Sequence, residues 1–115
     1  LDLLSPAPAP WADAGFDGIW AHHLFFHLPG PALPFILARV RQWLRPAGVF
    51  YACDPTGGGM EGLAPDGRYL AFRHPQRWKA AVRAAGFRLE TEWRRPEGLP
   101  RHRQDWLATL WRAEP

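Results

Sequence analysis

Phe16-Asp17-Gly18-Ile19-Trp20-Ala21-His22-His23-Leu24-Phe25-Phe26-His27-Leu28-Pro29 is the stretch on which the reading of the whole chain turns. From Gly18 to Ala21 apolar and polar side chains do not alternate, the pattern of a short strand covered on both faces of a parallel sheet. His22, His23 and His27 follow at once. In open α/β sheets ligands settle at the carboxyl ends of the strands, so the junction after Ala21 is where a site is expected.

Working outward, Pro29, Gly30 and Pro31 mark a turn, and Leu33, Ile36, Leu37, Val40, Trp43 and Leu44 then recur at helical spacing, with Arg39, Arg41 and Gln42 expected toward solvent. Pro34 is tolerated in a first turn, and Pro46 and Gly48 stop the helix. Val49-Phe50-Tyr51-Ala52-Cys53 is a second continuous apolar run of strand length. Strand, helix, strand in that order makes a parallel crossover unit. The glycines at 57–59 follow this strand, but no Lys-Ser or Lys-Thr pair comes after them, so a flexible loop is expected rather than a phosphate cradle.

Asp66-Gly67 turns the chain, residues 68–73 read as extended, and Pro75 opens a second helix with Trp78, Ala81, Val82 and Ala85 on one stripe and Gly86 as its left-handed cap. Phe87 to Trp93 alternates strictly, as a strand with one wet face near a sheet edge does. Trp106 to Trp111 is apolar on both sides and belongs inside the sheet. Two successive strands with no helix between them pair antiparallel, so the expected fold class is α/β: parallel strands finished by an antiparallel carboxyl-terminal hairpin, with helices on the faces. Upstream, Ser5-Pro6-Ala7-Pro8-Ala9-Pro10 cannot continue a helix or a central strand and reads as a stiff connector.

One domain is the expectation for 115 residues, and a chain that is 47% hydrophobic with seven Trp and seven Phe has the material for a core. The 14 basic and 11 acidic residues contain no run of five or more like charges, which makes nucleic acid an unlikely partner and a solvated surface the simpler reading. A single cysteine, Cys53, excludes an internal disulfide and a Cys-rich zinc site. No apolar run approaches the roughly 20 residues of a membrane span, and a cytoplasmic protein is expected. The chain begins at Leu1 rather than Met, so it is expected to be a piece of something longer.

Taken together and in order, these segments resemble class I S-adenosylmethionine-dependent methyltransferases of the type 11/25-like group. Phe16 to Ala21 with its Leu24-to-Pro29 continuation is similar to the family's fourth strand. Leu44-Arg45-Pro46-Ala47-Gly48-Val49-Phe50 resembles the Leu-Lys-Pro-Gly-Gly turn into the fifth, and Ala84-Ala85-Gly86-Phe87 the Ala-Gly-Phe step into the sixth. The resemblance covers the carboxyl-terminal part of such a domain. The family's glycine-rich cofactor loop and the acidic residue after its second strand have no counterpart in these 115 residues. The first strand here should therefore have an unpaired edge, open to self-association.

The resemblance implies S-adenosyl-L-methionine as cofactor and a small-molecule methyl acceptor. It places Asp2 and Leu3 at the adenine, and Ala21, His22 and His23 along the cofactor cleft. His27 is the candidate general base, its ordinary pKa near 6.5 suiting proton uptake at neutral pH; the rival reading is that it only caps or packs its loop. Asp54 and Tyr69 are the candidate substrate-side residues, whereas Cys53 reads as a small core residue. Two other functions stay open. One is a non-catalytic methyltransferase-like interaction module, and the other, weaker, is a metal site on His23 and His27, which lack the glutamate of a zinc-protease helix. Cofactor binding by this chain alone is expected to be weak or absent.

Overall fold

The computed structural model describes residues 15–115. It holds strands β1 (Phe16–His22), β2 (Leu44–Pro55), β3 (Met60–Leu63), β4 (Tyr69–Phe72), β5 (Phe87–Arg95) and β6 (Trp106–Ala113), with helices α1 (Leu33–Trp43) and α2 (Pro75–Ala84). The main sheet has the order β1-β2-β6-β5, and β3 and β4 form a separate hairpin. β1 and β2 are parallel because α1 carries the chain back between them, whereas β5 and β6 follow one another without a helix and pair antiparallel. β6 also pairs antiparallel with β2, which puts the last strand inside the sheet and β5 at its far edge, as its alternating sequence predicts.

Both helices lie on one face of the sheet. Ile36, Leu37 and Val40 of α1 and Trp78 and Val82 of α2 share a core with Ala21, Phe50, Ala52, Phe87 and Trp111. Burying each large side chain of this kind stabilises the fold by about 1.5–3 kcal/mol. Phe25 joins that core from the turn after β1, its ring centroid 5.2 Å from Trp78 and 5.7 Å from Phe50. α2 starts at His74, whose Nδ1 accepts the Gln76 N–H at 3.2 Å, and stops at Gly86, whose φ of +96° only glycine adopts freely.

Two expectations need correction. The reading of β1 as covered on both faces fails, because only Ala21 is buried and Trp20 is 67% exposed. Among the described residues β1 pairs with β2 alone, and no helix covers the face carrying Trp20, Tyr51 and Trp93. An unbroken apolar run shows that a strand can be buried twice; whether it is depends on a second layer.

Arg39, expected toward solvent, is buried, its guanidinium 5.6 Å from the Phe35 ring and 5.4 Å from Trp43, so its stem and charge lie along an aromatic row at i and i+4 spacing. The glycine run is a loop, as expected, with Gly58 and Gly59 exposed and only Gly57 closely packed. Gly57 and Gly59 donate to the carbonyls of Arg73 and Phe72 at 3.1 and 2.8 Å, and a Cβ on Gly57 would stand 2.8 Å from that of Phe72. β3 adds to the expected elements. Met-Glu-Gly-Leu has no strand signature of its own and pairs only because the turn at Asp66-Gly67 brings β4 beside it.

Candidate functional site

Parallel β1 and β2 end together, with His22 opposite Cys53, and the antiparallel β6 begins there at Trp106 opposite Pro55. This carboxyl edge gathers the histidines. The His22 ring stacks on Trp106 at 5.4 Å and remains exposed. His23 breaks the strand: its amide donates to the Cys53 carbonyl at 2.8 Å, and its φ of +59° lies in the left-handed region that non-glycine residues enter only when their surroundings hold them there. Its ring touches Phe26, His27 and Trp106 at centroid distances of 5.2, 4.8 and 4.8 Å, and its buried Nε2 has no hydrogen-bond partner. Burial, then the neighbouring His27 and His22, hold His23 below the usual histidine pKa, so the neutral imidazole is favoured.

A single 3-10 turn, Phe25–His27, carries the third histidine, and it is clamped from two strands. The Phe26 amide donates to Asp54 Oδ1 at 2.9 Å from the end of β2. Arg73, just past β4, donates from Nη1 to the Phe25 carbonyl at 2.6 Å and from Nη2 to the Leu28 carbonyl. His27 Nδ1 lies 3.0 Å from the Tyr69 carbonyl. A carbonyl only accepts, so Nδ1 carries the proton and the neutral ring keeps its free lone pair on Nε2.

Asp54 is the most perturbed group of the site. Burial pushes its carboxyl up to about 7, against the opposing effects of the Phe26 amide and the more distant Arg73 charge. It lines a 20 Å³ cavity with Arg73, Phe25 and Trp78, large enough for about one water molecule. Tyr69 serves the site through its backbone. Its hydroxyl turns away and donates to Glu61 at 2.7 Å, a carboxylate that also accepts the Gly30 amide at 3.0 Å.

The structure thus brings together His22, His23 and His27, places Asp54 behind their turn, and sets Tyr69 against His27. Ala21 is buried toward α1, so it presents backbone rather than side chain at the strand end. Cys53 is fully buried, with its thiol pushed up by burial. Asp2 and Leu3 lie outside the described residues. Trp106 is the member that sequence reasoning missed, visible only as the start of an apolar strand. Among the described residues no three His, Cys, Asp or Glu side chains converge as a metal site would require.

A larger concavity than the one at the histidines lies elsewhere among the described residues. A 680 Å³ groove runs between the start of α2 and the ends of β5 and β6, whereas the hollow at His22, Arg95, Pro96 and Trp106 measures 180 Å³. Size alone does not decide between them. The strained, unpartnered histidine and the titrating carboxylate mark the parallel strand ends as the chemical centre.

The strand order and the terminal antiparallel hairpin are those of class I S-adenosylmethionine-dependent methyltransferases, and the comparison with solved structures establishes that fold. A 1,6-didemethyltoxoflavin-N1-methyltransferase from Burkholderia thailandensis, solved with 1,6-didemethyltoxoflavin and S-adenosylhomocysteine, superposes with a TM-score of 0.74 at 23% identity over 93% of this chain and 49% of its own. An S-adenosylmethionine-dependent methyltransferase from Methanosarcina mazei gives 0.75 at 10% identity over 99% and 65%. The [4+2]-cyclase SpnF gives 0.69 at 15% over 99% and 55%. This chain spans about half to two thirds of the length of these structures. At the level of sequence, neither a family model nor a curated protein matches it. No described helix is long and apolar enough to cross a membrane.

Proposed function

We propose that this chain is the carboxyl-terminal portion of a class I methyltransferase domain, acting on a small-molecule acceptor with S-adenosyl-L-methionine as methyl donor. The observation that carries the reading is His23, held in a left-handed conformation at the carboxyl end of β1 with a buried, unpartnered ring nitrogen and with His27 and Trp106 against it. Strain and an orphaned polar atom persist where a function needs them. The described residues fit one wall of a cofactor cleft, formed by the Ala21 backbone, His22 and His23. They include no glycine-rich loop after a first strand to form the opposite wall.

The cofactor would supply an electrophilic methyl group on sulfur, and in-line transfer to a positioned nucleophile draws mainly on proximity, worth about 7–11 kcal/mol in favourable cases. His27 has the role of general base: with Nδ1–H held by the Tyr69 carbonyl, Nε2 is the atom that takes the acceptor's proton. The Asp54 and Arg73 clamp fixes the turn on which that ring is mounted. Calorimetric titration of S-adenosylhomocysteine tests the reading. The 115-residue chain alone should give no saturable heat in the micromolar range, and a version extended upstream should bind. Absence of binding by the extended version would refute the proposal.

A second reading has its own support. Trp20, 67% exposed, stacks on Tyr51 at 5.4 Å, Tyr51 packs against Trp93 at 5.8 Å, and the outer edge of β1 is unpaired among the described residues. An aromatic face beside an open edge is a surface for another polypeptide, as an interaction module requires. Such a surface also makes the isolated chain self-associate. Trp20→Lys should shift the sedimentation profile toward monomer with little change in stability; an unchanged distribution would place the self-association elsewhere.

A further inference from the structure

The groove beside α2 belongs to neither the histidine edge nor the exposed aromatic face. Its floor is Thr56, Gly57 and Leu107, its walls are His74 to Lys79 on one side and Glu92 to Arg94 on the other, and Arg101 and Asp105 stand at its rim. The charges around it are unevenly satisfied. Lys79 Nζ is 2.7 Å from Glu92, so that pair is neutral as a unit. Among the described residues the half-buried Arg94 has no carboxylate within 4 Å and makes one side-chain bond, from Nη1 to Thr56 Oγ1 at 2.8 Å, and Arg101 bonds only the Gln104 carbonyl, at 3.2 Å.

A guanidinium has five donors in a planar fork suited to two oxygens of one acid group. Arg94 uses one of them; burial and then the like charge of Arg101 disfavour its charged form, with Glu92 and Asp105 opposing at longer range. Among the described residues Asp105 forms no ion pair with either arginine, and its backbone carbonyl is occupied by the Thr56 amide at 2.9 Å and the Thr56 hydroxyl at 3.2 Å. The amino end of α2 opens on the same groove and adds a positive end of its dipole, with the Gln76 amide already taken by His74. Thr56 and Leu107 also line the small Asp54 cavity, so the groove and that cavity share a wall.

We infer that this groove is an anion-binding subsite in which Arg94 and Arg101 together hold a phosphate or carboxylate group of a small molecule. Its assignment to the acid group of the methyl acceptor rests on the methyltransferase reading; the binding of an anion there does not. The acceptor class that follows is an acidic metabolite.

The test is titration of the full chain with inorganic phosphate and, separately, with acetate, without cofactor, followed by NMR of the arginine Nε–Hε groups. Saturable shifts of Arg94 and Arg101 are expected, with Arg94→Gln and Arg101→Gln each weakening binding at least about tenfold, as the loss of a charge-assisted hydrogen bond does. Phosphate binding without acetate binding names a phosphate subsite, and the converse a carboxylate subsite. Arg94→Lys keeps a donor for Thr56 and the fold around it, so it should bind more weakly than the native chain yet more tightly than Arg94→Gln. Shifts that do not saturate, or equal affinity in the Arg94→Gln/Arg101→Gln double variant, would overturn the proposal. The S-adenosylhomocysteine titration stands apart from this one, so failure of the anion site and failure of the methyltransferase reading are read separately.

Discussion

Raising the pH from 4 to 8 should weaken the fold through Asp54, and replacing that residue by asparagine should abolish this loss. The unfolded carboxyl titrates near its ordinary 3.8, the folded one at about 7 because burial disfavours the charged form. Between those values the folded state binds the additional proton, so unfolding releases it and stability declines as pH rises. The contribution is fully present below pH 3.8 and gone above about 7. Each pKa unit corresponds to 1.36 kcal/mol, which bounds the effect at about 4 kcal/mol, a large part of the 5–15 kcal/mol that holds a typical domain together.

His23 acts with the opposite sign. Its folded pKa is depressed, so it favours the fold above the ordinary histidine value of 6.5 and the benefit is lost on acidification. The native chain therefore sums a falling and a rising curve, and Asp54→Asn isolates the rising one. Urea unfolding of both proteins at pH 5 and pH 8 is the measurement. A decline for the native chain and none for Asp54→Asn is expected; parallel behaviour of the two would show that the carboxyl is not shielded.

Arg73→Met should cost about 3 kcal/mol at pH 8, because it leaves the Phe25 and Leu28 carbonyls without the charged donor that now serves both. Methionine retains most of the stem's packing, so the loss measures hydrogen bonding rather than a cavity. Two further consequences distinguish this clamp from ordinary packing. Asp54 loses the favourable charge of Arg73 and should titrate higher still. The Phe26 amide, held at present by Asp54, should exchange faster with solvent as the turn loosens. Arg73→Lys restores a positive charge but not the two-pronged donor, and should recover only part of the stability. If Arg73→Met left both the unfolding free energy and Phe26 exchange unchanged, the clamp would have no energetic role.

The solved structures that resemble this chain show why fold and function must be argued separately. Two are methyltransferases by name and one is a [4+2]-cyclase, all on the same strand order. What singles out the carboxyl edge here is the local chemistry of His23, His27 and Asp54, and it is there that substitution should be aimed.

Much of this was legible in the residues themselves. The i, i+3, i+4 spacing of Leu33 to Trp43 determined α1 and its buried stripe. The apolar run at Val49 to Cys53 determined an interior strand, and the absence of a helix between Phe87 to Trp93 and Trp106 to Trp111 determined their antiparallel pairing. These are periodic, short-range signals, and they persist whatever surrounds them. The clustering of three histidines at one strand end was legible for the same reason.

Tertiary structure alone decided the rest. Whether Trp20 is buried depends on a layer over its face, which no run of apolar residues encodes. Arg39 is buried because its aromatic neighbours on α1 cover its stem. Asp54 is shifted because its carboxyl is buried at a small cavity lined by Phe25 and Trp78, remote from it in sequence. The pairing of Arg73 with the turn after β1 spans 48 residues. Burial and electrostatics are properties of the assembled neighbourhood, so the strand ends were readable from the chain, whereas the protonation and positioning of what stands on them came only with the fold.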